Sequence, residues 1–318
     1  ESPCGSAMTL LVAAIGGNSI SPPNDPGLDE MRARIATTAS RLADLGEAGY
    51  ELVVTHGNGP QVGNILLQNE EARHRAPPMP LDVCVAQSQA QIGYLLQQSL
   101  QNEFATRGRP RAVASVVTQV VVDPDDPAFG SPTKPVGPVY EAEQEVIVKR
   151  AKGWSMARDP RGGWRRLVPS PRPLEIVEKD LIRRLLETGN GIVLIAAGGG
   201  GVPVVRHRSG YRGVEAVIDK DLASAVLAKT IGAEILLIVT DVPQVALRYG
   251  RPDQTWLSRL SVSEARHHFD AGEFPPGSMG PKIEAVLQFL ETGGRRAVIA
   301  DLDHVLDAMS GRAGTQIP

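Results

Sequence analysis

Short aliphatic and β-branched runs recur along the chain, each closing on glycine or a polar residue: Leu10 to Ile15, Leu52 to Thr55, Val113 to Val122, Ile192 to Ala196, Ile235 to Thr240 and Ala297 to Ile299. Continuous apolar runs of this length predict strands buried on both faces, as in a parallel sheet. Between them the apolar spacing shifts to the helical period. Met31, Ile35, Leu42 and Leu45 fall on one face, and further helical patterns cover Leu81 to Phe104, Leu174 to Leu186, Leu222 to Ile231 and Ile283 to Leu290. Ser261 and Glu264 add a capping-box pattern at the start of another helix. This alternation predicts an α/β fold in which an open, mainly parallel sheet is sandwiched by helices.

Two stretches break the rhythm. Between Asp123 and Pro173 prolines stand at positions 124, 127, 132, 135, 138, 160, 169, 171 and 173. An insertion with its own small structure is predicted there, a protruding subdomain with a short helix in Tyr140 to Lys152 and a hairpin tip at Asp159 to Gly163, before Trp164. The polar segment Arg206 to Arg212 reads as a loop that seams the chain into unequal halves. Residues 1–7 precede Met8, where MTLLVAAIGGN enters a strand directly; they are expected to be a cloning remnant, leaving 8–318 as one domain.

Composition narrows the function. With 33 Lys plus Arg against 36 Asp plus Glu, a net charge of −3 and 4% aromatic residues, the chain lacks the basic surface and stacking platform of a nucleic-acid binder. Charged residues at 22% and hydrophobic residues at 42% place it among globular proteins. Cys4 and Cys84 lie too far apart for a disulfide framework or a Cys-rich zinc ribbon, and suit a reducing cytosol. The longest apolar runs, such as Ile235 to Val239, are far short of a membrane span, and no basic segment precedes the first of them. A cytoplasmic protein without membrane or nucleic-acid partners is expected.

The chemistry concentrates where strands end. Gly16-Gly17-Asn18 follows the first strand, and His56-Gly57-Asn58-Gly59-Pro60 follows the second and opens a helix. Adjacent glycines let backbone N–H groups turn toward an anion, and a helix N-terminus favours negative charge. Two such loops at the ends of consecutive strands should converge on one crevice. Gly198 to Gly201 form a third loop, whose four glycines suggest close approach to a phosphate; no Gly-Lys-Ser/Thr follows, so it is not a Walker A loop. Lys134, Lys220 and Lys282 stand in rigid contexts (SPTKPVGP, IDKD and FPPGSMGPK) and could supply the positive charge that phosphoryl transfer needs. No zinc-ligand spacing is present, and no metal ligands are assigned.

Together these segments resemble the carbamate kinase family of the amino acid kinase superfamily. The resemblance runs through VAAIGGNSI, VVTHGNGPQVGNILLQNE, LDVCVAQSQAQIGYLLQQSL, TQVVVDPDDPAFGSPTKPVGP, LVPSPRPLEIVE, AAGGGGVPVV, GVEAVIDKDLASAVLA, FPPGSMGPKIEAVLQFLETGG and the terminal GTQI, nearly the whole chain. It implies the amino acid kinase fold, a lid subdomain at about 123–173, a nucleotide-binding half at about 213–318, and a homodimer. The implied activity is Mg²⁺-dependent phosphoryl transfer between ATP and carbamate, generally running from carbamoyl phosphate and ADP toward ATP in fermentative nitrogen catabolism. By motif, Gly16, Gly17, Asn18, Gly57 and Asn58 would hold carbamate and the transferring group. Lys134 would clamp from the subdomain, Lys220 and Lys282 would neutralise phosphoryl charge, and Asp221 would orient the lysines. Gly199, Gly200, Asp241, Met279 and Gly280 would serve the nucleotide. Pro243-Gln244 departs from the family wording, in which an acidic residue and glycine are common. Two other readings stay open: a kinase of another small carboxylic acid on this fold, and a catalytically silent binder.

Overall fold

The apolar runs assemble into one seven-stranded sheet in the computed structural model, which describes residues 8–21, 27–151, 153–159, 162–189 and 191–318. Its order is β16 (Thr315–Ile317), β15 (Arg296–Asp301), β12 (Ile235–Thr240), β1 (Thr9–Ile15), β2 (Tyr50–His56), β9 (Val193–Ile195) and β3 (Val113–Ser115). All neighbours run parallel except β16, which is antiparallel to β15.

Successive residues of a strand face opposite sides, so each central strand feeds two cores. In β1, Val12 and Ala14 join one core, whereas Leu11, Ala13 and Ile15 join the other. In β12, Leu236 and Ile238 follow the first set, and Ile235, Leu237 and Val239 the second. Helices α1 (Leu28–Glu47), α3 (Leu81–Thr106) and α9 (Val305–Met309) cover the second core; α5 (Lys179–Glu187), α6 (Lys220–Ile231), α7 (Val262–Asp270) and α8 (Met279–Glu291) cover the first. The result is the three-layer α/β arrangement expected from the alternation. The capping box forms in full: the Glu264 N–H donates to the Ser261 hydroxyl, and the Glu264 carboxylate accepts from the Ser261 N–H.

Smaller sheets surround this frame. One is ordered β11 (Gly210–Gly213), β10 (Val202–His207), β4 (Gln119–Val121) and β8 (Glu175–Ile176). A hairpin joins β13 (Val245–Leu247) to β14 (Thr255–Leu257). The Pro-rich stretch holds an antiparallel sheet of β5 (Lys134–Tyr140), β7 (Trp164–Val168) and β6 (Ser155–Arg158), with α4 (Glu143–Ala151) beside it. This unit rests on α2 (Gly59–Ala72), where a Cβ added at Gly63 would lie 2.9 Å from the Cα of Gly137. The tip of the predicted hairpin includes residues 160–161, and the expected remnant is residues 1–7; both lie outside the described residues.

Three sequence expectations are corrected. The run Val113 to Val122 is two strands in different sheets, because the Thr118 N–H and C=O both bond the buried side chain of Gln89 and turn the chain between them. Leu174 to Leu186 is helical only from Lys179; Pro171 and Pro173 precede a segment whose Leu174 N–H is taken by Val121 O, which draws residues 175–176 into β8. Arg206 to Arg212, expected as a loop, is the exposed end of the β10–β11 hairpin, anchored inward by buried Val204 and Val205. Among the described residues no helix is long and apolar enough to cross a membrane.

Leu237 is fully buried in β12, whereas Leu174 is 57% exposed. Leu237→Ala should lower stability by about 2–5 kcal/mol, and Leu174→Ala by less than about 0.5 kcal/mol. Urea unfolding with unchanged slopes would show it; equal midpoints for the two variants would refute the assignment of Leu237 to the core.

Candidate active site

Parallel strands aim their carboxyl ends at one edge of the sheet. The chain leaves β1 for β2 on one side and later places β12 on the other, so the crevice of this open sheet opens at β1. Its first wall is two loops in contact. Gly57 N–H donates to Ile15 O at 3.0 Å, and a Cβ on Gly57 would lie 3.3 Å from Gly17 N; only glycine at 57 permits that approach with ease. A Cβ on Gly17 would meet nothing within 4 Å, so this backbone faces open space.

A charge cluster forms the floor. Asp219 is the N-cap of α6: its Oδ1 accepts from the Asp221 N–H at 2.9 Å and, at 3.5 Å, from the Leu222 N–H. Its other oxygen, Oδ2, accepts from Lys134 Nζ at 2.8 Å, so a residue of the subdomain reaches the helix start. Asp221, buried in the first turn of α6, accepts from Lys220 Nζ at 2.6 Å and from Lys282 Nζ at 3.0 Å. Lys282 belongs to α8, whose N-terminal turn also carries Met279 and Gly280.

These contacts set the protonation states. Burial works against the Asp221 carboxylate, but the two ammoniums prevail and hold it down to about 2. For Lys282 burial is again outweighed, by Asp221, and its pKa is raised. Lys220 goes the other way: burial pushes it below the ordinary lysine value despite Asp221, and neighbouring Lys282 adds to the fall. One carboxylate thus accepts from two ammoniums, with burial outweighed at Lys282 and prevailing at Lys220.

The glycine-rich loop closes the crevice from behind. Gly198 to Gly201 are buried, and each Cβ would strike this protein's own atoms: His56 Nε2 at 2.3 Å, Asn58 Nδ2 at 2.2 Å, Ile218 O at 2.4 Å and the Val120 side chain at 2.2 Å. The absence of Cβ at these four positions is thus required by close packing against the protein's own atoms. Gly199 and Gly200 stand beside Asn58 and Ile218 and do not line the pocket that holds Asp241. Thr118 fixes the loop by accepting from the Ala197 N–H at 2.9 Å.

Asn18 and Asn58 do different work. Asn18 Nδ2 donates to Asp241 Oδ2, linking the β1 loop to the end of β12. Asn58 is buried and donates to Ser88 Oγ at 2.7 Å. His56 Nδ1 lies 3.0 Å from Gly57 O, which places the proton on that nitrogen; burial lowers its pKa to about 4, so the ring stays neutral at working pH. Beyond Lys282 opens a 390 Å³ pocket with apolar walls from Val242, Ala246, Tyr249 and Met279 and with Asp241 on its rim. An anion bound between the glycine loops and the lysines would lie next to whatever fills it.

The amino acid kinase family model matches residues 9–301. The chain belongs to the amino acid kinase family. It is 47% identical to a carbamate kinase of Pyrococcus horikoshii over 96% of this chain and 98% of that protein. It is 45% identical to carbamate kinase 3 of Staphylococcus aureus over 98% of this chain and 99% of that one. The crystal structure of carbamate kinase from Giardia lamblia bound to AMP-PNP superimposes with a TM-score of 0.91 at 41% identity, covering 98% of both chains.

Several residues of this amino acid kinase site went unassigned in the sequence. Asp219 reads as an ordinary N-cap, and its second oxygen becomes informative only when Lys134 arrives from the subdomain. Ser88, Gln89 and Thr118 lie within segments that carry the resemblance, but nothing local distinguishes them there from their neighbours. His56 stands inside HGNGP, and that placement is the one signal that could have marked it.

Gly199 has φ of +64° and its missing Cβ points at the Asn58 amide. Gly199→Ala should cost about 2–5 kcal/mol from left-handed strain plus overpacking. Gly17→Ala, with open space around it, should stay within about 0.5 kcal/mol of the parent. Denaturant midpoints decide this; a Gly199→Ala protein as stable as the parent would show that the loop relaxes freely.

Proposed function

We propose that this chain works as a carbamate kinase, catalysing reversible phosphoryl transfer between ATP and carbamate and running toward ATP from carbamoyl phosphate and ADP. The observation that carries the reading is the buried Lys220–Asp221–Lys282 cluster adjoining a pocket of nucleotide proportions. Phosphoryl transfer asks a protein for alignment and charge neutralisation more than for covalent chemistry. An oxygen of the ADP terminal phosphate attacks phosphorus as the bond to the carbamate oxygen breaks. Carbamate leaves as an anion, and in reverse it is already a nucleophile, so no general base is required.

In this reading the backbone of Gly16, Gly17 and Gly57 faces the carbamoyl phosphate, with Asn18 and Asn58 setting the shape of the two loops. Lys220 and Lys282 neutralise the transferring oxygens, Asp221 orients both, and Lys134 closes over them from the 123–173 lid. The 213–318 half supplies the nucleotide pocket through Asp241, Met279 and Gly280. Gly199 and Gly200 support Asn58 and Ile218, a role behind the substrate loop.

Mg²⁺ would supply further neutralisation of the nucleotide phosphates. Asp241 is the carboxylate that lines the pocket, and it would hold the cation together with phosphate oxygens and water. A cytoplasmic homodimer is part of the proposal; Tyr94 and Val117, exposed at 56% and 49% near edge strand β3, suit a subunit contact. Sedimentation at micromolar protein should return twice the monomer mass.

The purified protein should form ATP from ADP and carbamoyl phosphate, lose this activity in excess EDTA, and turn over acetylglutamyl and aspartyl phosphates far more slowly. Equal rates on those acids would move the reading to another small-acid kinase. Lys220→Ala should lower kcat by about 10²–10³-fold, roughly 2.7–4 kcal/mol, with KM changed far less. Wild-type turnover in a folded Lys220→Ala protein would remove Lys220 from the mechanism.

The pH profile follows from the sign of the Lys220 shift. Its folded pKa lies below the ordinary lysine value, so the required ammonium is lost earlier as pH rises, and kcat/KM should decline on an alkaline limb below the normal lysine range. A bound phosphoryl group favours the ammonium, so the limb in kcat should sit at higher pH than the limb in kcat/KM. Asp221→Asn withdraws the carboxylate that favours both cations and should move the kcat/KM limb to lower pH. An unmoved limb would show that another group titrates.

A further inference from the structure

Lys134 reaches the site only if the strand that carries it is held at the right angle, and the structure shows a charged contact placed to set that angle. Lys134 begins β5, and Gly137 on the same strand touches Gly63 of α2 backbone to backbone. Elsewhere the junction between α2 and α4 is open, a 410 Å³ groove lined from both sides. Among the described residues a short charged contact crosses it: Lys149 Nζ of α4 donates to Glu70 Oε1 of α2 at 3.0 Å, with side-chain exposures of 11% and 18%, and Arg73, just past the end of α2, donates to the same oxygen at 3.1 Å. The same ammonium sits 5.4 Å from the ring centre of Tyr140, at the far end of β5, and 4.9 Å from that of Trp154. A second crossing, Arg166 to Glu215, is longer at 3.5 Å and leaves Glu215 58% exposed.

We infer that Glu70 and Lys149 are positioning residues for Lys134. They fix the angle at which the subdomain meets α2, and through β5 they set whether Lys134 Nζ lands on Asp219 beside the phosphoryl site. The inference rests on the reading of Lys134 as a phosphoryl clamp. Lys149 suits the role because an ammonium between two aromatic faces and one carboxylate has a narrow choice of positions. Buried Val136 and Val168 pack the subdomain sheet against Val62 of α2 and keep it attached, but apolar contact is non-directional, so loss of either charge leaves the angle less sharply set. Glu70 and Lys149 themselves touch neither the lysine cluster nor the nucleotide pocket.

The test is steady-state ATP formation from carbamoyl phosphate and ADP by the full chain and its variants, each first checked by urea unfolding. Glu70→Gln and Lys149→Met should lower kcat about tenfold with KM for ADP little changed, because the lost function is alignment and not nucleotide binding. Lys149→Arg keeps the charge and the aromatic contacts and should restore most of kcat. In a Lys134→Ala background, Glu70→Gln should cost nothing further, since the group it positions is gone. A folded Glu70→Gln protein with wild-type kcat, or a full additional loss in the Lys134→Ala background, overturns the positioning role. Wild-type kcat in Lys134→Ala would instead overturn the clamp reading itself, so the two failures are distinct. Should Lys149→Met fold poorly, Glu70→Gln, which preserves the shape of the side chain, decides alone.

Discussion

A single buried carboxylate, Asp221, holds the ammoniums of Lys220 and Lys282, and much of the architecture serves to keep it there. Two like charges at that distance would repel strongly in a site shielded from water. The carboxylate between them makes their proximity tolerable, and its pKa of about 2 keeps it ionised across the working range. Its position comes from the first turn of α6, which Asp219 caps, and from α8, which delivers Lys282 from a different part of the chain. The fold brings both helices onto the same face of the sheet through their shared apolar core.

Asp219 extends this arrangement to the subdomain. One oxygen stabilises the helix start and the other receives Lys134, so the element that ends a loop in sequence also joins the subdomain to the body in space. The Gly198 to Gly201 loop has a parallel function. Its glycines let His56, Asn58 and Ile218 press against the backbone, which makes the rear wall of the crevice dense and stiff. The loops after β1 and β2 differ from it, since Gly17 faces open space.

The fold was legible because continuous apolar runs and the 3.6-residue period are strong where elements are buried. Runs without a polar position, as within β1 and β12, imply strands covered on both faces. The pattern misled where tertiary contacts overruled it: Gln89, remote in sequence, breaks the Val113 to Val122 run in two, and the pairing of residues 175–176 with β4 removes the first turn of a predicted helix. Lys134, Lys220, Lys282 and Asp221 were legible as charges in stiff contexts, and the family resemblance grouped them. Which carboxylate each lysine would meet was not, because Lys134 and Asp219 are 85 positions apart and no local rule links them. The glycine quartet carries a second requirement that the sequence did not reveal: the absence of Cβ there also admits His56, Asn58, Ile218 and Val120, since a missing Cβ serves a neighbouring protein atom as readily as a ligand.

The cluster can hold three cations close together because carboxylates stand among them. Lys134 meets Asp219, Lys220 and Lys282 share Asp221, and Asp219 and Asp241 add their attraction at Lys282. The balance differs from one lysine to the next: the carboxylates outweigh burial at Lys282, whereas burial outweighs them at Lys220. A site without these aspartates would hold its lysines neutral or apart, because a buried charge with no partner is costly. Asp221 therefore fixes two things at once, the spacing of the ammoniums and the charge they carry, and neither can be changed without the other.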